Sequence, residues 1–405
     1  MTSYETGQTE LPPVTDWVHD WDWLDPQWGP NAIDIWDDVR EVCPVATTER
    51  YGRAFMPVTY DAVAQVAHDT ENFSSVWVSV ARPDAPRAPA PPITSDPPEH
   101  HLHRRLLLPS FSPKVIAPMD DDMREFARGL IADLDGQDQA EASGDYAQHI
   151  PVHGICALLG VPESDADMFR DWIYRNFQIA PRDNAVRLQV REEMTAYFTE
   201  LLDARADDPR SDLLSLVANA EIDGEPISRE LQLGYAGLMI VAGIDTTWSA
   251  IGSGLWHFAQ HPEQRAALVS AADDDLLWTT ATEEVLRFYS PVTMGRKVIG
   301  DTEVGGCPVR SGEQMLLTFP AANHDPAAFE RSEEFLIDRE KNRHIAFGLG
   351  IHRCLGSNLA RLELTVALQE WIRAFPDYDL DETRATEWAN GQVRGPRFLP
   401  VNLNR

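Results

Sequence analysis

The run Phe347-Gly348-Leu349-Gly350-Ile351-His352-Arg353-Cys354-Leu355-Gly356 concentrates the residue types that a thiolate ligand requires. Such a ligand needs a loop without bulky side chains, backbone N–H groups aimed at the sulfur, and a wall against water. Glycines at 348, 350 and 356 permit a tight turn and close approach of backbone to sulfur. Phe347 can shield the sulfur, and a helix starting at Leu355 turns its positive end toward it, which favours thiolate over thiol. Taken alone, a cysteine among glycines is more often a small buried residue.

A second constellation is Ala242-Gly243-Ile244-Asp245-Thr246-Thr247, where an acid and a hydroxyl interrupt an apolar stretch. Buried charge is costly unless it is used or paired. Asp245 is therefore either a proton donor or a structural ion-pair partner, and Thr246 either serves the same proton chemistry or bonds back to the carbonyl at 242. Glu284 and Arg287, three apart on one helical face, read by themselves as a solvated salt bridge.

The complete string Phe-x-x-Gly-x-His-x-Cys-x-Gly is similar to the haem-binding signature of the cytochrome P450 family, and Ala-Gly-Ile-Asp-Thr resembles the distal-helix motif of the same family, in the family's order. The resemblance implies the P450 fold, mainly α with small β-sheets, and haem b with Cys354 as its metal ligand. It implies that Cys354 pushes electron density onto iron and favours cleavage of the O–O bond. Asp245 and Thr246 then deliver protons where oxygen is activated, and the distal helix widens locally to make room. Because haem carries two propionates, the site needs cations from distant segments. Likeness to the family assigns these to His100, Arg104, Arg296 and His352, with His101 and His103 as rival alignments, and Phe347 and Gly356 join the cofactor-binding set. The same likeness makes Glu284-x-x-Arg287 a structural lock whose third member is Arg339, or else His344. It lines the substrate pocket with Leu238, Val241, Ala242, Val292, Met294 and part of the 83–92 loop. These side chains suit a small apolar or aromatic substrate. The expected activity is insertion of one oxygen atom from O2, by hydroxylation or oxidative O-dealkylation. A peroxide-driven peroxygenase, which has less need of the Asp245-Thr246 relay, and a haem-thiolate sensor are the alternatives.

These residues must be positioned by a mostly helical chain. Helical spacing is read at 104 onward, 123–134, 165–175 and 355–375, where Leu355, Leu359, Leu362 and Val366 recur at helical intervals. Short strands are read at 297–299 and 314–318. Seven prolines between 83 and 98 mark a long surface loop inside one domain spanning 1–405, with residues 1–13 as a flexible tail. Five tryptophans between Trp17 and Trp36 read as a folded cap on the core. The apolar stretch 231–256 is taken as a buried central helix, since its uncharged part, 231–244, is too short to span a bilayer.

With 34 basic against 65 acidic residues and a net charge of −31, nucleic acid and anionic membrane surfaces are disfavoured as partners. Four scattered cysteines fit a reducing cytoplasm, and the acidic, polar start is unlike a signal peptide. Residues 243–252, 350–360 and 391–396 resemble the haem domains of self-sufficient P450–reductase fusions. The chain shows no Gly-rich nucleotide segment and no cysteine cluster. The expectation is a free-standing relative or an excised haem domain that takes electrons from NAD(P)H through a ferredoxin or reductase domain. Arg105, Arg353 and Arg361 are expected to form the docking patch for that donor.

Overall fold

The computed structural model describes residues 11–81 and 88–404. At its centre lie two helices laid end to end, Arg229–Gly243 and Asp245–Gln260, so the single helix read at 231–256 is interrupted at Ile244. Ser228 starts the first by accepting the Leu231 N–H, the usual device for an orphan donor at a helix start. The second helix is buried on nearly every face, from Asp245 through Ala259, as an all-round apolar helix must be. This segment has the length and composition of a membrane span, yet most of it is packed inside the protein.

Around this pair pack Ser357–Ala374, His149–Leu159 and Asn184–Asp207. Two buried tyrosines fasten the bundle: Tyr146 donates to the Ala367 carbonyl and Tyr378 to that of Leu255, each at 2.8 Å. A five-stranded sheet lies to one side, in the order Val45–Thr48, Ala54–Pro57, Gln314–Leu317, Met294–Val298, Phe73–Ser74. It carries Arg296 inward on the strand that pairs with Gln314–Leu317. The remaining sheets have two or three strands.

The sequence-read helices are present with shifted ends: Glu99–Leu107, Asp120–Ala132, Ala166–Tyr174 and Ser357–Ala374. The cysteine-loop helix therefore begins at Ser357, two residues later than read, because Gly356 occupies its cap. Trp21, Trp28 and Trp36 are buried with Tyr51, Met56 and Val80, forming the expected cap. Residues 82–87 of the proline loop and residues 1–10 of the tail lie outside the described residues. In the rest of the loop Ala88, Pro89, Pro97 and Pro98 are exposed, as a surface loop requires, while Pro91 and Pro92 are buried. Residues 11–13 of the tail are also held, through the Pro12 carbonyl, which accepts from Arg50 at 2.8 Å.

Glu284 and Arg287 are both fully buried, which overturns their isolated reading as a solvated pair. Arg287 binds both carboxylate oxygens of Glu284, at 2.9 and 2.8 Å, and three backbone carbonyls besides. Arg339 completes the triad at 3.0 Å. His344 does not join it, bonding instead to Glu283 at 2.9 Å.

Candidate active site

The Cys354 loop is built by short-range geometry. Gly350 has φ of +66°, and a Cβ there would lie 2.7 Å from the Ala67 carbonyl oxygen, so only glycine lets the loop turn against its neighbour. The Cys354 N–H donates to the Phe347 carbonyl at 2.7 Å, and the Gly356 N–H points at the sulfur. Burial pushes the free thiol up, against the Gly356 N–H and the guanidinium groups of Arg104, Arg353 and Arg361. A bound metal cation reverses that balance and holds the sulfur as thiolate. Phe347 packs beside the loop with the Arg361 guanidinium 4.5 Å from its ring centre.

Arg361 is not the free proximal cation that the sequence suggested. It grips Glu283 through two bonds, at 2.6 and 2.8 Å. Burial would push Glu283 up, but the bonds from Arg361 and His344 pull it down to about 2. Arg105 and Arg353 remain exposed.

Cys354 opens into a cavity of about 1130 Å³. Its wall includes every residue assigned to cofactor or substrate from the sequence: His100, Arg104, Arg296, Phe347, His352, Gly356, Leu238, Val241, Ala242, Val292 and Met294. Pro89, Ala90 and Pro92 of the proline loop also line it. Four basic side chains meet on this wall, with the Asp96 carboxylate acting on two of them. Arg296 is 4% exposed and bonds only to its neighbour's carbonyl. Burial pulls its guanidinium down to about 10, with Asp96 opposing. His352 is pulled down to about 3 by burial and by the positive charges of Arg296, His100 and Arg104. Its Nε2 meets the Ser75 hydroxyl at 2.9 Å. The His100 ring stands 4.4 Å from that of His352, and its buried Nε2 has no partner. Arg104 donates to the Arg353 carbonyl at 2.7 Å. Two guanidinium groups and two imidazoles with donors turned to one wall suit an anion, and the two propionates of haem fit that requirement beside the thiol. The rivals stand elsewhere: His101 is exposed, and His103 bonds to Ser95 at 2.8 Å.

On the facing wall the central helices break where Gly243 meets Ile155. A Cβ on Gly243 would lie 2.4 Å from the Ile155 side chain. Thr246 lines the cavity, and its hydroxyl donates to the Ala242 carbonyl at 2.9 Å. Asp245 does not line it, and is paired with Arg397 at 2.8 Å. The second Asp245 oxygen, Oδ2, is buried without a partner. Burial raises Asp245 to about 6, against the pull of Arg397, while burial lowers Arg397. Both shifts disfavour charge, so desolvation exceeds the attraction within the pair. The Arg397 guanidinium sits 4.3 Å from the Trp248 ring centre and also bonds Ser249 at 2.9 Å.

Sequence reading missed Arg397, which lies 152 positions from Asp245 and carries no motif. It also missed Glu283, although the adjacent Glu284 was singled out, and Glu363. Glu363 is a buried cavity-wall carboxyl, pushed well up by burial despite a bond from Thr247. A glutamate among apolar residues of a core helix was the available signal for Glu363.

The Cytochrome P450 family model matches residues 152–380. A putative cytochrome P450 126 of Mycobacterium tuberculosis is 34% identical over 374 residues, covering 87% of this chain and 88% of that protein. A vitamin D(3) 25-hydroxylase of Pseudonocardia autotrophica is 34% identical over 330 residues, covering 80% of each. Among solved structures, the bacillaene polyketide synthase cytochrome P450 PksS of Bacillus subtilis superimposes with a TM-score of 0.86 at 28% identity, covering 95% of this chain and 100% of that one.

Proposed function

The chain belongs to the cytochrome P450 family of oxidoreductases, and from that premise we propose that it is a haem-thiolate monooxygenase with Cys354 as the iron ligand. Haem b bound there supplies the oxygen chemistry: one atom of O2 enters the substrate and the other leaves as water, consuming two electrons and two protons. The observation that carries the reading is the meeting of the Cys354 thiol with four basic side chains on one cavity wall. Cys354 holds the metal, and Arg296, Arg104, His100 and His352 hold the propionates.

The remaining residues manage protons and exclude water. The Thr246 hydroxyl presents a donor at the cavity wall, released from the Ala242 carbonyl by rotation about one side-chain bond. Oδ2, the Asp245 oxygen left unpaired by Arg397, is the one open to a proton. With a pKa raised to about 6, it exchanges that proton near neutral pH, as a general acid must. The wall contributed by Leu238, Val241, Ala242, Val292 and Met294, continued by Phe177, Met194 and Phe198, keeps the substrate end apolar. It suits an apolar or aromatic organic molecule, to be hydroxylated or O-dealkylated. A relative named steroid C26-monooxygenase, 33% identical over 351 residues, supports including polycyclic skeletons among the candidates.

Electrons come from NAD(P)H by way of a ferredoxin or reductase domain, docking near the exposed Arg105 and Arg353. We place the protein in the cytoplasm. The test of ligation is the carbon monoxide complex of the reduced protein. A strongly red-shifted Soret band, lost in Cys354→Ala, is expected. A histidine-like band in folded wild type refutes the assignment. Binding of aromatic ethers, terpenes and steroids, followed by the spin-state shift of the same band, then identifies the substrate class.

A further inference from the structure

Two half-buried cysteines lie outside the cavity wall, at positions brought together only by the fold. Cys43 ends the helix Trp28–Val42 in extended conformation, its N–H donating to the Val39 carbonyl at 2.8 Å. Cys307 opens the strand Cys307–Val309, just after the Gly305-Gly306 turn of a hairpin. That turn is seated on the chain next to Cys43. A Cβ on Gly305 would lie 3.0 Å from the Val45 side chain and 3.5 Å from Pro44. Val304 and Val309 of the hairpin are buried in the same apolar cluster as Val45, and Cys307 packs against it. The Cys43 thiol donates to the Val45 carbonyl at 3.3 Å, and Cys43 lies near enough to Cys307 to act on its thiol. Anchored backbones on both sides thus hold two partly exposed thiols beside each other.

We propose that Cys43 and Cys307 form an oxidation site that closes to a disulfide under a two-electron thiol oxidant such as hydrogen peroxide. One thiolate attacks a peroxide oxygen, giving a sulfenic acid and releasing water. The other thiol then attacks that sulfur, forming the S–S bond and releasing a second water. Two thiols lose two electrons and two protons, and one peroxide becomes two waters. Burial and the neighbouring Cys43 thiol hold Cys307 above the ordinary thiol range, which disfavours its thiolate. The bond ties the end of the N-terminal helix to the hairpin across a long stretch of chain, which constrains the unfolded state and stabilises the fold. Cys156, buried and pushed up to about 12, and Cys354, engaged as the proposed iron ligand in the haem-loaded protein, are poor competitors for the oxidant.

The haem-loaded protein is treated with hydrogen peroxide and, in parallel, with diamide, which oxidises thiols without bleaching haem. The expected product has lost two hydrogens in intact mass. It yields a linked peptide joining Cys43 to Cys307 in a non-reducing digest, melts a few degrees higher, and reverts with dithiothreitol. Cys43→Ser and Cys307→Ser, each alone, show neither linked peptide nor higher melting temperature. Recovery of both peptides unlinked after diamide, or cross-links only between chains, overturns the proposal.

Discussion

Replacing Arg296 by methionine should move the haem-free and haem-loaded proteins in opposite directions. The guanidinium is 4% exposed, makes one bond to a backbone carbonyl, and is pulled down to about 10 by burial. At about 1.4 kcal/mol per pKa unit, keeping it charged in the haem-free fold costs roughly 3 kcal/mol. Arginine stays protonated throughout the accessible pH range, so this cost is present at every pH below that value. An unbranched apolar side chain of similar length removes it, and Arg296→Met should raise the urea midpoint of the haem-free protein with an unchanged slope. In the loaded protein the same change deletes a charge-assisted bond to a propionate, worth about 1.5–3 kcal/mol. Haem should then transfer to an apo-globin scavenger on the order of ten to a hundred times faster, read from the Soret band. Arg296→Lys keeps the charge and should lie between. A haem-free Arg296→Met less stable than wild type, or haem loss at the wild-type rate, refutes the counter-ion argument.

Three other outcomes follow from the same geometry. Glu283 is pulled down to about 2. Because a lowered carboxylate stabilises the fold above its unfolded pKa and loses that contribution as pH falls, roughly 3 kcal/mol should disappear between about pH 4.5 and 2. Glu283→Gln should flatten acid unfolding in that window, and an unaltered acid transition would show the pair to be idle. Thr246→Ala should leave substrate binding intact while diverting electrons to hydrogen peroxide, and Asp245→Asn should slow turnover about a hundredfold or more; unchanged coupling and rate in both would leave Thr246 and Asp245 as helix residues only. With Arg361 occupied by Glu283, reduction by an acidic donor should slow in Arg105→Glu and Arg353→Glu and with rising salt. Stopped-flow rates equal to wild type at low salt would place docking elsewhere.

What the sequence determined by itself is what neighbouring residues can determine. Gly350 and Cys354 lie within one short loop, so their spacing already dictates a turn that presents a sulfur. Ala242 to Thr246 are five consecutive residues, so an acid and a hydroxyl interrupting an apolar stretch were visible as a buried polar step. The cavity wall was legible too, since resemblance to a family carries over positions whose spacing is kept. Tertiary structure alone decided the partners of the buried charges. Asp245 found Arg397 on a strand near the C-terminus, Arg361 was paired with Glu283 beside the cysteine loop, and His344 went to Glu283 while Arg339 took the place in the triad. It also decided which residues of the proline-rich loop reach the expected cavity wall, Ala88, Pro89, Ala90 and Pro92. The physical reason is that local spacing fixes the backbone and therefore the direction of a side chain. The partner of a buried charge is chosen by desolvation cost among whatever distant groups the packed elements bring within about 3 Å, and no local pattern encodes which those are.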